Sequence, residues 1–242
     1  LSIIQRFNQE DLAFKGGYML NQLIPEVSRM TRDIDFSVNS TEQYEKIKVI
    51  LKDIGDYLVQ SEIICYYKIK DSITPTQSGG IDFYDSNNSK CLGVDVGWHQ
   101  IVSGTKWYNL KLGQVHAFSV ERMLSDKIHA IFTSKRFRRT KDLYDVYYLL
   151  ENFDVDYKKF KECIELRGEL DLNKNPFREE ILEQYLHAWN KLNIVSIVST
   201  REIEKPEFKL AIERLGHFCF PVLNGFKESY SIWDHTKCRW VN

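Results

Sequence analysis

Hydrophobic and polar positions alternate in short runs over the first half of the chain and follow a helical period over much of the second. Asp33-Ile34-Asp35-Phe36 alternates strictly, so Ile34 and Phe36 leave one side of an extended segment and two carboxylates leave the other. Asn39-Ser40-Thr41 follows and caps a helix expected over roughly Thr41 to Leu58. Ile63–Ile69, Ile81–Tyr84 and Cys91–Trp98 are rich in Ile, Val, Tyr and Phe and read as strands. The last two are joined by Asp85-Ser86-Asn87-Asn88-Ser89, which has the composition of a hairpin turn.

Beyond Ser119 the pattern becomes helical. Ser119 caps a helix through Phe132, a second helix covers Lys141–Leu150, and others are expected over Asp156–Leu166, Pro176–Leu192 and Pro206–Leu215. A domain boundary is therefore placed near Phe118, giving an α/β domain over 1–118 and a mainly helical one over 119–242. The closing stretch, with Phe218, Phe220, Phe226, Trp233 and Trp240, is too aromatic for a free tail and is expected to fold back onto the body.

Composition narrows the classes. With 43% apolar, 28% charged and 13% aromatic residues, the chain can bury a core and has no reason to be disordered. Lys plus Arg (33) nearly balance Asp plus Glu (34), so any affinity for nucleic acid must come from a local patch. No apolar run approaches the ~18 residues of a membrane span, and the first residues lack a signal-peptide pattern, which reads as a cytoplasmic protein without membrane partners. The five cysteines are irregularly spaced and suit reduced thiols. His217-x-Cys219 and His235-x-x-Cys238 have spacings within reach of zinc, but their bulky neighbours favour core packing.

Candidate chemistry begins with Asp33 and Asp35. Carboxylates this close repel unless a cation or proton intervenes, and hard oxygen ligands suit Mg²⁺; alone, Asp-x-Asp equally fits a surface turn. Gly16-Gly17, before a helix-compatible segment, lets backbone N–H groups approach a phosphate. Asp95 rises between Gly93 and Gly97 from a strand whose other side is Leu92, Val94 and Val96, and Asp82 is a second candidate for a third carboxylate. Lys127 falls within the apolar stripe Val120, Met123, Leu124, Ile128 and Ile131, either snorkelling to the flank or presenting a cation to a triphosphate. Lys135, Arg136, Arg138, Arg139 and Lys141, with Phe137, form the local basic patch, which equally fits nucleotide or RNA contact and a solvated basic loop.

Phe14-Lys15-Gly16-Gly17, Arg29-x-Thr31-x-Asp33-Ile34-Asp35-Phe36, Val94-Asp95-Val96, Lys127 and Lys141-Asp142-Leu143-Tyr144-Asp145 together resemble the AbiEii/AbiGii-type nucleotidyltransferases. These are the toxin halves of type IV toxin–antitoxin and phage abortive-infection systems. The resemblance implies a DNA-polymerase-β-like nucleotidyltransferase domain with a mixed sheet, followed by a helical domain. It further implies that Gly16 and Gly17 hold the triphosphate, that Asp33, Asp35 and Asp95 bind two Mg²⁺ ions, and that Lys127 binds phosphate. Asp142 becomes an active-site residue orienting Lys127, with Asp145 structural, and Asp95 is preferred over Asp82. The implied reaction transfers NMP from an NTP to a hydroxyl at the 3′ end of tRNA, under control of a cognate antitoxin encoded nearby. A protein or small-molecule acceptor, or a catalytically silent binding module, are the alternatives. Gly16-Gly17 departs from the Gly-Ser of many nucleotidyltransferases, and Tyr18 stands where the family often has a small hydroxyl residue.

Overall fold

In the computed structural model, which describes residues 12–27, 29–98, 104–111, 113–133, 139–195, 203–225 and 230–242, the alternating segment is strand β2 (Asp33–Val38). Around it lie β1 (Leu12–Lys15), β3 (Tyr66–Lys70), β4 (Gly79–Tyr84), β5 (Lys90–Trp98), β6 (Thr105–Leu110) and β7 (Gly113–Phe118). They form one mixed sheet in the order β3-β4-β5-β2-β1-β7-β6. Strands β2 and β5 run parallel, as do β1 and β7, and the other neighbours are antiparallel.

Register gives this sheet its two chemistries. Ile81, Val94 and Ile34 stand opposite one another, as do Val96 and Phe36, and all are buried. A slip of one residue would carry these side chains to the other face and the carboxylates into the core, so burial itself fixes the pairing. Helix α1 (Gly16–Leu23) follows β1 directly, and α2 (Thr41–Gln60) follows β2. The Ser40 side chain accepts from the Gln43 N–H and caps α2, which buries Tyr44, Ile47, Leu51 and Ile54. The β4–β5 hairpin is closed by Asp85, whose Oδ1 accepts from the Asn87 and Ser89 N–H groups. Strand β3 begins later than the expected Ile63, because Ile63 and Ile64 bond back to Leu58 at the end of α2. Strands β6 and β7 are pairings the sequence pattern does not announce.

The chain divides into two compact units: Leu1–Pro25 with Met30–Phe118, and Glu26–Arg29 with Ser119–Asn242. The second unit holds α3 (Val120–Thr133), α4 (Thr140–Asn152), α5 (Tyr157–Arg167), α6 (Glu179–Asn190) and α7 (Phe208–Leu223). A small antiparallel sheet joins β8 (Val155–Asp156), β9 (Ile232–Asp234) and β10 (Arg239–Val241). The Ser119 hydroxyl accepts from the Arg122 N–H, as expected of a cap for α3. Helix α7 continues past the expected end at Leu215 because its last turns carry Phe218 and Cys219 into the core, a gain exceeding the ~1 kcal/mol cost of Gly216 in a helix interior. The aromatic end of the chain folds back: Trp233 and Trp240 pack on Phe218 and donate from their indole nitrogens to the carbonyls of Leu150 and Phe218. Phe226 lies outside the described residues. Cys219 is buried, and His235 is bonded to Asp154. Among the described residues no helix is long and apolar enough to cross a membrane.

Candidate active site

The polar face of the large sheet is assembled by register. Asp35 stands opposite Asp95 and Asp33 opposite Gly93. Across β4, Gly80 stands opposite Asp95 and Asp82 opposite Gly93, and β3 sets Lys70 opposite Gly80. Residues facing one another on neighbouring strands share a side of the sheet, so Asp33, Asp35, Asp82, Asp95 and Lys70 rise together, with glycines leaving gaps among them.

Two ammonium groups fill those gaps. Lys70 Nζ lies 2.5 Å from Asp95 Oδ1 and 3.5 Å from Asp82 Oδ1. Lys90 Nζ lies 2.8 Å from Asp33 Oδ1 and 2.7 Å from Asp82 Oδ1. Lys90 reaches this face because a bulge between Phe83 and Tyr84 sets it, rather than Cys91, opposite Tyr84. Burial works against the charge of both lysines, yet the bonds and fields of their carboxylates outweigh it and hold both above the ordinary lysine range.

At the foot of β2, the Asp35 carboxylate lies against Gly16. A Cβ at Gly16 would fall 2.7 Å from Asp35 Cγ, and the backbone there has φ +74°. Only glycine meets both demands. Gly16→Ala is expected to destabilise the chain by about 1–2 kcal/mol and to displace Asp35. Gly113→Ala, at φ +107° with open space around it, carries the backbone penalty without the overlap. Urea unfolding of the two variants separates these terms.

The second unit gathers a different cluster. Lys127, 9% exposed, bonds Asp145 Oδ2 at 2.6 Å and Asp142 Oδ1 at 3.4 Å. Arg29 forks onto Asp145 with Nε and Nη2 each at 2.9 Å, and Arg139 Nη1 lies 3.2 Å from Asp142 Oδ2. Burial would raise the Asp145 pKa, but Lys127 and Arg29 overcome it and hold the carboxyl below its usual range. Burial likewise opposes charge on Lys127, and Asp145 with Asp142 reverses the effect, leaving the lysine above its usual range. The fully buried Asp145, rather than Asp142, is thus the principal partner of Lys127, a difference from the sequence expectation.

Of the expected basic patch, Lys135, Arg136 and Arg138 lie outside the described residues, Arg139 is engaged by Asp142, and Lys141 is exposed. Lys70, Lys90 and the fork of Arg29 escaped the sequence reading. The one available signal, lysines on strands bordering acidic ones, needs register to become meaningful.

The donor chemistry of the sheet face suits a hard divalent ion: acidic oxygens on adjacent strands, and a glycine at 93 whose Cβ would meet Asp33 Oδ1 at 2.7 Å. Among the described residues no set of three or more His, Cys, Asp or Glu side chains is arranged to hold a metal as it stands. The lysine ammoniums pair with Asp33 and Asp95 instead.

Comparison with solved structures finds JHP933 from Helicobacter pylori at a TM-score of 0.50 and 17% identity, covering 88% of this chain and 84% of that one. A nucleotidyltransferase-like antigenic protein from Paracoccidioides brasiliensis matches at 0.44 and 17% identity, over 77% and 91% of the two chains. MenT4, a nucleotidyltransferase toxin from Mycobacterium tuberculosis H37Rv, matches at 0.45 and 14% identity, over 73% and 64%. No curated protein sequence matches significantly. A family model described as nucleotidyl transferase AbiEii toxin, type IV TA system, matches residues 2–191. With that family match running over most of its length, the chain belongs to the AbiEii nucleotidyltransferase toxins of type IV toxin–antitoxin systems.

Proposed function

We propose that this nucleotidyltransferase moves NMP from an NTP to a hydroxyl at the 3′ end of tRNA, with Mg²⁺ bound by Asp33, Asp35 and Asp95. The observation that carries the reading is the shared sheet face of those three carboxylates, with Gly16 against Asp35. In the transfer, the acceptor oxygen bonds to the α-phosphorus, the bond from that phosphorus to the bridging oxygen breaks, and pyrophosphate leaves. Bound Mg²⁺ would neutralise charge on the triphosphate and on the attacking and leaving oxygens. The chain's own part is positioning. Gly16 and Gly17 open the start of α1 to phosphate oxygens, Asp95 accepts the hydroxyl proton, and Lys127 offers a cation whose direction is set by Asp145. Asp142 is the second carboxylate on that lysine.

RNA contact is assigned to Lys135, Arg136, Arg138, Arg139 and Lys141, since phosphate neutralisation by a local basic run compensates for a net charge of −1. The proposed setting is the cytoplasm, in phage defence, with a cognate antitoxin that suppresses the activity.

The test is incubation with Mg²⁺, total tRNA and each α-labelled NTP in turn. Label on RNA that Asp35→Ala removes is the expected result. Label on protein would replace the acceptor, and no label from folded protein would overturn the assignment.

A further inference from the structure

We infer that Lys70 and Lys90 are built-in counter-ions of the carboxylate face, holding Asp95 and Asp33 when divalent cations are absent and yielding these carboxylates when cations arrive. Asp82 is the residue that retains both ammoniums. The inference rests on the reading of Asp33, Asp35 and Asp95 as the metal-binding carboxylates.

Four acidic side chains on three adjacent strands raise one another's energy unless positive charge lies among them. Lys90 supplies it across Gly93, where a Cβ would stand 2.5 Å from the ammonium and 2.7 Å from Asp33 Oδ1. Lys70 supplies it across Gly80, from a backbone whose carbonyl accepts the buried Tyr44 hydroxyl. An ammonium has three donors, so one lysine can bridge two carboxylates, as Lys90 does.

The bridges are unequal in a way that gives them direction. Asp82 is shared by both lysines and its side chain is 16% exposed, whereas Asp95 and Asp33 are 29% and 42% exposed. The open carboxylates are those a cation from solvent meets first. Asp82 Oδ1 is buried and lies 2.7 Å from Lys90 Nζ and 3.5 Å from Lys70 Nζ, so one oxygen draws both ammoniums. The lysine side chains are themselves about a third exposed, at 32% and 33%, which leaves their stems room to swing. A divalent ion brings more charge to the same oxygens than an ammonium does and takes them over.

The experiment measures Mn²⁺ binding to the full chain by the electron paramagnetic resonance of free Mn²⁺. Lys90→Met is expected to bind about tenfold more tightly, and Asp82→Asn about tenfold more weakly because the ammoniums then stay on Asp33 and Asp95. Lys46→Met removes the same charge, but from a lysine of α2 that is 72% exposed and pairs with Glu42, and should change affinity by less than about twofold. Without metal, Lys90→Met should melt at a lower temperature than wild type and recover with Mn²⁺. Lys70→Met serves as the second variant for the same arm, should Lys90→Met not fold. Equal effects of Lys90→Met and Lys46→Met, or an unchanged Asp82→Asn, would overturn the counter-ion role alone. Wild-type protein that binds no Mn²⁺, or binding that survives Asp35→Asn, would overturn the metal assignment and the inference with it.

Discussion

Asp35→Asn is expected to lower single-turnover NMP transfer by at least roughly a thousandfold, about 4 kcal/mol of transition-state stabilisation, while leaving the chain folded. Asparagine keeps the shape of the side chain beside Gly16 and removes one negative charge from a face that carries three more. Repulsion in the metal-free protein therefore falls, and its melting temperature should match or exceed that of wild type. Loss of turnover with retained stability identifies a carboxylate kept for chemistry. Turnover within tenfold of wild type would remove Asp35 from the reaction.

Asp145→Asn should do the reverse, costing about 3–5 kcal/mol in urea unfolding, because Lys127 and Arg29 keep their charges in a buried place without the carboxylate that both address. Lys127→Met removes one partner only. The Arg29 fork still pairs with Asp145, so this variant should lose activity with a smaller loss of stability. The pH dependence has a defined sign. Asp145 is held below the ordinary value of 3.8, so its contribution is complete above that value and is lost as pH falls through the lowered one. Acid unfolding of the wild type should steepen below pH 3.8, and Asp145→Asn should flatten that limb.

The acidic side of the large sheet was legible because alternation at 33–36 and at 92–96 needs no partner to be seen: Ile34, Phe36, Val94 and Val96 are buried, and the acids face away. The caps at Ser40 and Ser119 were legible for a similar reason, since a hydroxyl before an amphipathic run acts within three residues. What escaped depends on long-range register. Lys90 meets Asp33 only because of a bulge, and Lys70 meets Asp95 only because Gly80 intervenes. Asp142 and Asp145 both sit near the start of α4, and helix spacing cannot rank their distances to a lysine on α3. The β6–β7 hairpin escaped because edge strand β6 leaves Lys106 and Trp107 exposed and shows no buried alternation.

The aromatic fold-back of the chain's end also determines what light the protein emits. Of its five tryptophans, Trp189, Trp233 and Trp240 are 2%, 0% and 9% exposed in the helical unit, while Trp98 and Trp107 of the sheet unit are 36% and 38% exposed. Emission at short wavelength thus comes mainly from the helical unit and at long wavelength from the sheet unit. A red shift on denaturation follows the opening of the helical core, and quenching by a small solute in the native state samples the rim of the sheet.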